Sequence, residues 1–299
     1  MRILLTGASG YLGQKLTSYL LRKGYSLCLL ARESSVINFQ NNQNGKYEIA
    51  RYQNEIDVGK IVKKFSPDTI LHSAGCYGRS GEKDLDVIDS NVRFGLVLIM
   101  HAIGLKKNLT FINIGTALDD SVNLYAKSKN DFSSWGKYYS TSIDSNIDFV
   151  NVKLQQFYGE GDSLEKFPAK IFQAFFDNED EIHLTHGYQL RDFIYIEDVI
   201  RGIYAILKRG QDIRGYVDID LGTGVSVSIR DFVGIVSSLV DGDTQPLYGA
   251  LEARPNEPPE LKADLEILRS FGWSPSYDLA SGSAAVIRAL SKKKDIYEK

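Results

Sequence analysis

Short apolar runs rich in Ile, Leu and Val alternate along this chain with longer segments in which apolar residues return every three or four positions. The runs ILLT (3–6), SLCLLA (26–31), YEIAR (47–51), TILHSA (69–74), LTFINI (109–114) and IDFVNVKL (147–154) have the length and composition of strands, and the first leads into a helical pattern that reaches about Lys23. Strands that are apolar on both faces must be covered on both faces, so the alternation predicts an α/β fold with a doubly wound parallel sheet. From Asp84 to Leu105, the residues Leu85, Ile88, Val92, Leu96, Ile99 and Ile103 recur at steps of three and four. They predict one long helix with a single apolar stripe, turned to the core or to a second subunit. After Gly159 the rhythm breaks, and Pro246, Pro255, Pro258, Pro259 and Pro275 punctuate the remainder. The expected organisation is a larger domain of residues 1–158 with 192–212, and a smaller α/β domain of residues 159–191 with 213–299.

Composition narrows the class. The 299 residues are 43% hydrophobic and 24% charged, enough to bury a substantial core. A formal net charge of −3 argues against a surface built for nucleic acid or an anionic membrane. Cys28 and Cys76 are the only cysteines, too few for a disulfide framework, and a reducing cytoplasm is expected. The apolar run at the N-terminus is far shorter than a signal segment or a membrane span. His72, His101, His183 and His186 lack metal-ligand spacing, so no metal is expected.

The first strand runs directly into Thr6-Gly7-Ala8-Ser9-Gly10-Tyr11-Leu12-Gly13 at the start of a helix. In such a loop Gly7 permits the tight turn, and Gly10 lets backbone N–H groups approach a pyrophosphate. Gly13 lets the helix lie close, and Ser9, Tyr11 and Leu12 complete a phosphate cradle at the helix N-terminus. This predicts a Rossmann-type dinucleotide domain. The second strand ends at Ala31-Arg32, where an NAD enzyme would present a carboxylate to the ribose 2′-hydroxyl. A guanidinium there favours NADPH over NAD(H), because it can pair with a 2′-phosphate. Ser73, Ala74 and Gly75 follow the fourth strand on the cofactor side. Tyr77 and Arg79 come next, where cofactor and substrate should meet.

The most specific feature is Tyr125-Ala126-Lys127-Ser128-Lys129 at the start of a helix. Tyr125 and Lys129, four apart, share one helix face, so the ammonium can lower the phenol pKa and reach a cofactor hydroxyl. The phenol then serves as general acid or base. LTFINIGT ends at Thr116, whose hydroxyl can hydrogen-bond the substrate oxygen that changes charge during hydride transfer.

With these motifs the chain resembles the extended short-chain dehydrogenases, the nucleotide-sugar epimerase/dehydratase family, over nearly its whole length. Within that family it is similar to the CDP-paratose synthase branch, in the stretches AGCYGRSGE (74–82), NIGTALDDSVNLYAKSK (113–129), LQQFYGEGDSLEKF (154–167) and LTHGYQLRDFIYIEDV (184–199). As in that branch, Thr116 and Tyr125 are only nine positions apart. One departure is that Lys153-Leu154-Gln155-Gln156-Phe157-Tyr158-Gly159 replaces the family's usual Arg and Asn near the sixth strand.

The resemblance implies a nucleotide-diphosphate sugar as substrate, with Arg191 and Arg254 on its diphosphate and Phe157, Thr116, Tyr77 and Arg79 in its site. Pro255-Asn256 stands where the family has Pro-Gly, which weakens the match at Arg254. The implied activity is NADPH-dependent reduction of the C4 keto group of a CDP-3,6-dideoxy-4-keto-hexose in O-antigen-type deoxysugar biosynthesis. The alternatives are an NAD-dependent nucleotide-sugar epimerase, another 4-keto-6-deoxyhexose reductase, or a catalytically dead dinucleotide sensor. The resemblance also implies a homodimer, paired through the Asp84 helix and through Phe132 and Trp135 of the Tyr125 helix.

Overall fold

The computed structural model describes residues 1–37, 45–79 and 81–297. The chain divides into two compact units, one of Met1–Lys153 with Ile203–Ile219 and one of Leu154–Gly202 with Asp220–Lys299.

The first unit is built on a sheet. Its strands β1 (Arg2–Thr6), β2 (Ser26–Arg32), β3 (Lys46–Tyr52), β4 (Thr69–His72), β5 (Leu109–Ile114) and β6 (Ile147–Leu154) lie in the order β6-β5-β4-β1-β2-β3, with every pairing parallel. Tyr216–Leu221 adds a seventh strand beyond β6. β4 and β5 are buried at every position, their polar Thr69, His72, Thr110 and Asn113 included, whereas the edge strand β3 alternates and carries charge. The order reverses between β1 and β4, so the loops after these strands flank the crevice where such sheets bind ligands.

The helices are α1 (Tyr11–Arg22), α2 (Glu55–Phe65), α3 (Asp84–Ile88), α4 (Phe94–Ile103) and α5 (Leu124–Ser140). Asn54 and Asn123 cap α2 and α5, each accepting the N–H three residues on. The expected single stripe on the Asp84 helix is corrected here. Between α3 and α4, residues Asp89–Arg93 form a π-helical turn, which inserts an extra residue and rotates the faces that follow. The buried face is Val87, Asn91, Gly95, Leu98, Ile99 and Ala102; Leu85, Ile88 and Ile103 are exposed. Gly95 sits so close to the Phe132 ring that a Cβ would lie 2.3 Å from it. Phe132 is a core residue among His72, Phe111 and Phe149, so its expected place at a subunit interface is also corrected.

The second unit begins with β7 (Gln156–Tyr158), α6 (Phe167–Phe176), β8 (Glu181–Leu184), β9 (Leu190–Arg191), β10 (Phe193–Tyr195) and α7 (Ile196–Arg209), which runs on into the first unit after Gly202. After β11, the Tyr216–Leu221 strand, come β12 (Val227–Ser228), α8 (Ile229–Ser237), β13 (Gln245–Tyr248), β14 (Glu260–Leu261), α9 (Glu266–Ser270) and α10 (Leu279–Tyr297). Its strands form three small sheets, β10-β7, β12-β9-β14 and β13-β8. Phe232 gathers Tyr158, Phe172 and Phe193 into an aromatic core. Buried Asp192 accepts the N–H groups of Thr223, Gly224 and Ala263, which fixes the turn after β11. The expected domain limits therefore shift. Residues 154–158 and 192–202 belong with the second unit because β7 pairs with β10, and residues 213–219 belong with the first because β11 extends its sheet.

Candidate active site

The glycine loop after β1 is bound to the end of β4. Thr6 Oγ1 lies 2.8 Å from His72 Nδ1 and accepts the N–H of Ala74, while Ser73 Oγ donates to the Thr6 carbonyl at 2.7 Å. Burial, then the Lys129 charge, drives the His72 pKa well down, so this histidine is a neutral strut. Gly7 has φ +74°, and a Cβ there would come within 2.7 Å of the Ser73–Ala74 backbone. At Gly13 a Cβ would fall 2.0 Å from the Gly7 carbonyl oxygen. Its missing side chain admits the loop's own backbone, rather than bringing helix and sheet together as the sequence led us to expect.

A cavity of about 480 Å³ opens over this loop. Gly7, Ser9 and Gly10 line it, with Arg32 from the end of β2 and Ser73, Ala74 and Gly75 after β4. Tyr11, Leu12 and Gly13 lie in the first turn of α1, outside its lining. The lining also includes residues that the sequence did not single out: Ser35, Tyr52, Gln53 and Asn54. Tyr52 stacks on Phe94 at 5.2 Å. Cavity, helix N-terminus and glycine loop together fit a dinucleotide: Gly10 lines the cavity, and a Cβ there would meet only the Gly7 carbonyl oxygen, at 3.3 Å.

Thr116 lies just past β5, buried, and its Oγ1 accepts the N–H of Leu118, leaving the hydroxyl hydrogen to donate. Asn130 Nδ2 donates to the Leu118 carbonyl and ties this short loop to α5. Asn123 starts α5 two residues before Tyr125, which explains how a nine-residue spacing brings Thr116 and Tyr125 to one end of the sheet. Lys129, one turn on, is 2% exposed, and its Nζ lies 3.9 Å from where a Gly75 Cβ would be. Gly75 thus joins the cavity to the Tyr–Lys pair. Burial pushes the Lys129 ammonium down to about 8. The Tyr125 phenol is held well above its ordinary range by burial of its hydroxyl and by the Tyr77 phenol, against the pull of the Arg79 guanidinium. Lys129, itself shifted down by burial, is not among the groups that set the phenol's rise.

Tyr77 stacks face to face on Tyr125, with ring centroids 4.4 Å apart, and the Arg79 guanidinium sits 5.7 Å from the Tyr77 ring. The other expected substrate residues belong to the second unit. Arg191 on β9 is 3% exposed and pairs with Glu257 at 2.8 Å; Arg254 is exposed, and its carbonyl accepts the Glu257 N–H. Lys166 Nζ lies 4.1 Å over the Phe157 ring. Among the described residues no cluster of His, Cys, Asp or Glu could hold a metal ion, and no helix is long and apolar enough to cross a membrane.

This arrangement has counterparts. The model of the NAD dependent epimerase/dehydratase family matches residues 3–222. The chain belongs to this family. Among its relatives are the CDP-abequose synthases of Salmonella typhimurium and Salmonella muenchen. The first is 28% identical, covering 96% of this chain and 98% of the relative, and the second is 29% identical over 98% of each. Among solved structures of the family's fold, a UDP-glucose 4-epimerase with UDP-glucose from Thermotoga maritima superposes with a TM-score of 0.83 at 19% identity, covering 98% of this chain and all of that one. MoeE5 in complex with UDP-glucuronic acid and NAD superposes with a TM-score of 0.82 at 20% identity, with the same coverage.

Proposed function

We propose that this protein is an NADPH-dependent 4-ketoreductase that converts a CDP-3,6-dideoxy-4-keto-hexose into the corresponding CDP-3,6-dideoxyhexose. The observation that carries the reading is the Thr116, Tyr125 and Lys129 set, joined through Gly75 to a cavity with the shape of a dinucleotide cradle. The CDP-abequose synthase relatives, alike over nearly their full length, support the sugar and its base. Arg32 lines the cavity, with no carboxylate paired to it among the described residues, which supports NADPH.

In this reading the bound dihydronicotinamide supplies a hydride to the keto carbon. Thr116 donates its hydroxyl hydrogen to the keto oxygen as charge builds there. Tyr125 gives its proton to that oxygen, completing the hydroxyl, and is reprotonated from solvent. The phenol is protonated at neutral pH, the state in which it can donate. Lys129 holds the nicotinamide ribose, and Arg191 and Arg254 hold the sugar diphosphate. The active form is a homodimer.

The test is to mix purified protein with NADPH and CDP-, dTDP-, UDP- and GDP-linked 4-keto sugars while following NADPH absorbance. Consumption with the CDP-linked 3,6-dideoxy-4-keto sugar is expected. Consumption with another nucleotide class alone, or sugar interconversion with no NADPH used, overturns the assignment.

A further inference from the structure

The turn after β2 is clasped by a residue from β3. Arg51 sits opposite Ala31 in the parallel register, and its Nη1 donates to three carbonyls, those of Arg32 at 3.1 Å, Glu33 at 3.0 Å and Ser35 at 3.0 Å. The Ser35 N–H also closes on the Arg32 carbonyl at 3.0 Å, so residues 32–35 form a tight turn held from outside. Three neutral acceptors leave the Arg51 charge uncompensated, and neither Arg51 nor Arg32 is paired with a carboxylate among the described residues. Between residues 32 and 54 the chain has carboxylates only at Glu33 and Glu48.

What the turn presents is selective. Arg32 and Ser35 line the cavity, and Glu33, the acid that could accept a ribose hydroxyl, is not among its lining residues. Beside Arg32 in the parallel register is Tyr52, also in the lining, whose phenol feels the Arg32 charge and whose ring is stacked on Phe94. Arg32 and Ser35 in the lining, with the Arg51 guanidinium bonded to the carbonyls of the same turn, supply a charge and a hydroxyl suited to a dianionic phosphate monoester.

We propose that Arg51 is the positioning residue for cofactor discrimination: by clasping the turn it holds Arg32 and Ser35 toward a ribose 2′-phosphate and adds a second positive charge behind them. This rests on the NADPH reading above. The Arg51 Nη1 has two hydrogens for its three carbonyls, so the bonds are shared, and the planar guanidinium fixes the direction from which they are given. A lysine at this place would keep the charge and loosen the turn.

The probe is 2′,5′-ADP against 5′-AMP, which differ only in the 2′-phosphate and undergo no reaction, titrated calorimetrically into the wild type and into Arg51→Ala, Arg51→Lys and Arg32→Ala. The wild type should prefer 2′,5′-ADP. Arg51→Ala should lower that preference about tenfold while changing 5′-AMP affinity less than twofold, and Arg51→Lys should fall between. Circular dichroism of each variant checks the fold, and Arg51→Lys keeps the test open should the alanine variant not fold. If Arg32→Ala removes the preference and neither Arg51 variant changes it, the Arg51 inference is wrong and the NADPH reading stands. If the wild type binds both nucleotides equally, the NADPH reading itself fails.

Discussion

Lys129 is buried for chemistry at the expense of stability, and the two effects separate by pH. Its ordinary pKa is 10.5 and burial lowers it to about 8. Below pH 8 the folded and unfolded forms are both protonated, and the folded form bears the whole cost of the buried charge, about 3 kcal/mol. Between pH 8 and 10.5 the folded protein releases the proton while the unfolded chain retains it, so stability rises with pH across that window. Lys129→Met should therefore be more stable than the wild type at pH 7 by calorimetric melting, with the gap closing toward pH 10.5, while turnover and NADPH affinity fall together. An unchanged gap across the window would mean that the ammonium is solvated. Tyr125→Phe should behave differently. It keeps the ring stacked on Tyr77 and deletes the proton, so turnover should drop by about two to four orders of magnitude with NADPH affinity preserved. Retention of most activity would remove Tyr125 as the acid.

At the scale of elements, the glycine loop permits a contrast that motif spacing alone does not. A methyl at position 13 would meet the Gly7 carbonyl at 2.0 Å, whereas one at position 10 would come no closer than 3.3 Å to protein and would project where phosphates are expected. Gly13→Ala should destabilise the first unit by about 1–3 kcal/mol. Gly10→Ala should melt near the wild type yet lose at least tenfold in NADPH affinity, read by fluorescence titration. Undiminished cofactor binding by Gly10→Ala would mean that the loop is no phosphate cradle. The sequence made this loop legible because strand, glycines and helix are contiguous. The Thr116–Tyr125–Lys129 set was legible for a similar reason, since strand end and helix start are nine residues apart. The turn at Asp89–Arg93 was not, because a single π-helical insertion leaves no periodic trace yet takes Leu85 and Ile88 off the face that buries Ile99. Arg51 also escaped notice: its role depends on three backbone carbonyls, which residue types do not announce. The two-residue strands β9, β12 and β14 are too short to carry a period, and distant partners define them.

For the molecule as a whole, the rotation of the Asp84 helix bears on assembly. Leu85 is 73% exposed and Met100 57%, with Ile88 and Ile103 also at the surface. On α5, Trp135 and Tyr138 are exposed and pack edge to face at 6.0 Å. Phe132, by contrast, is spent on the core, so any pairing must use the outer side of these helices. These apolar side chains lie on three helices of one unit, α3, α4 and α5, and a second copy related by a two-fold axis would cover the same residues on both chains. Sedimentation equilibrium should give twice the mass of one chain at micromolar concentration. Replacing Leu85 and Met100 together by Lys should leave the fold and the cofactor cavity intact, because neither residue lines the cavity or lies in the core. It should weaken association by about two orders of magnitude, by placing charges where apolar surface was to be buried. A wild type that sediments as a single chain would remove the dimer and leave this patch for another partner. A double variant that still dimerises would show that the chains pair through a different surface.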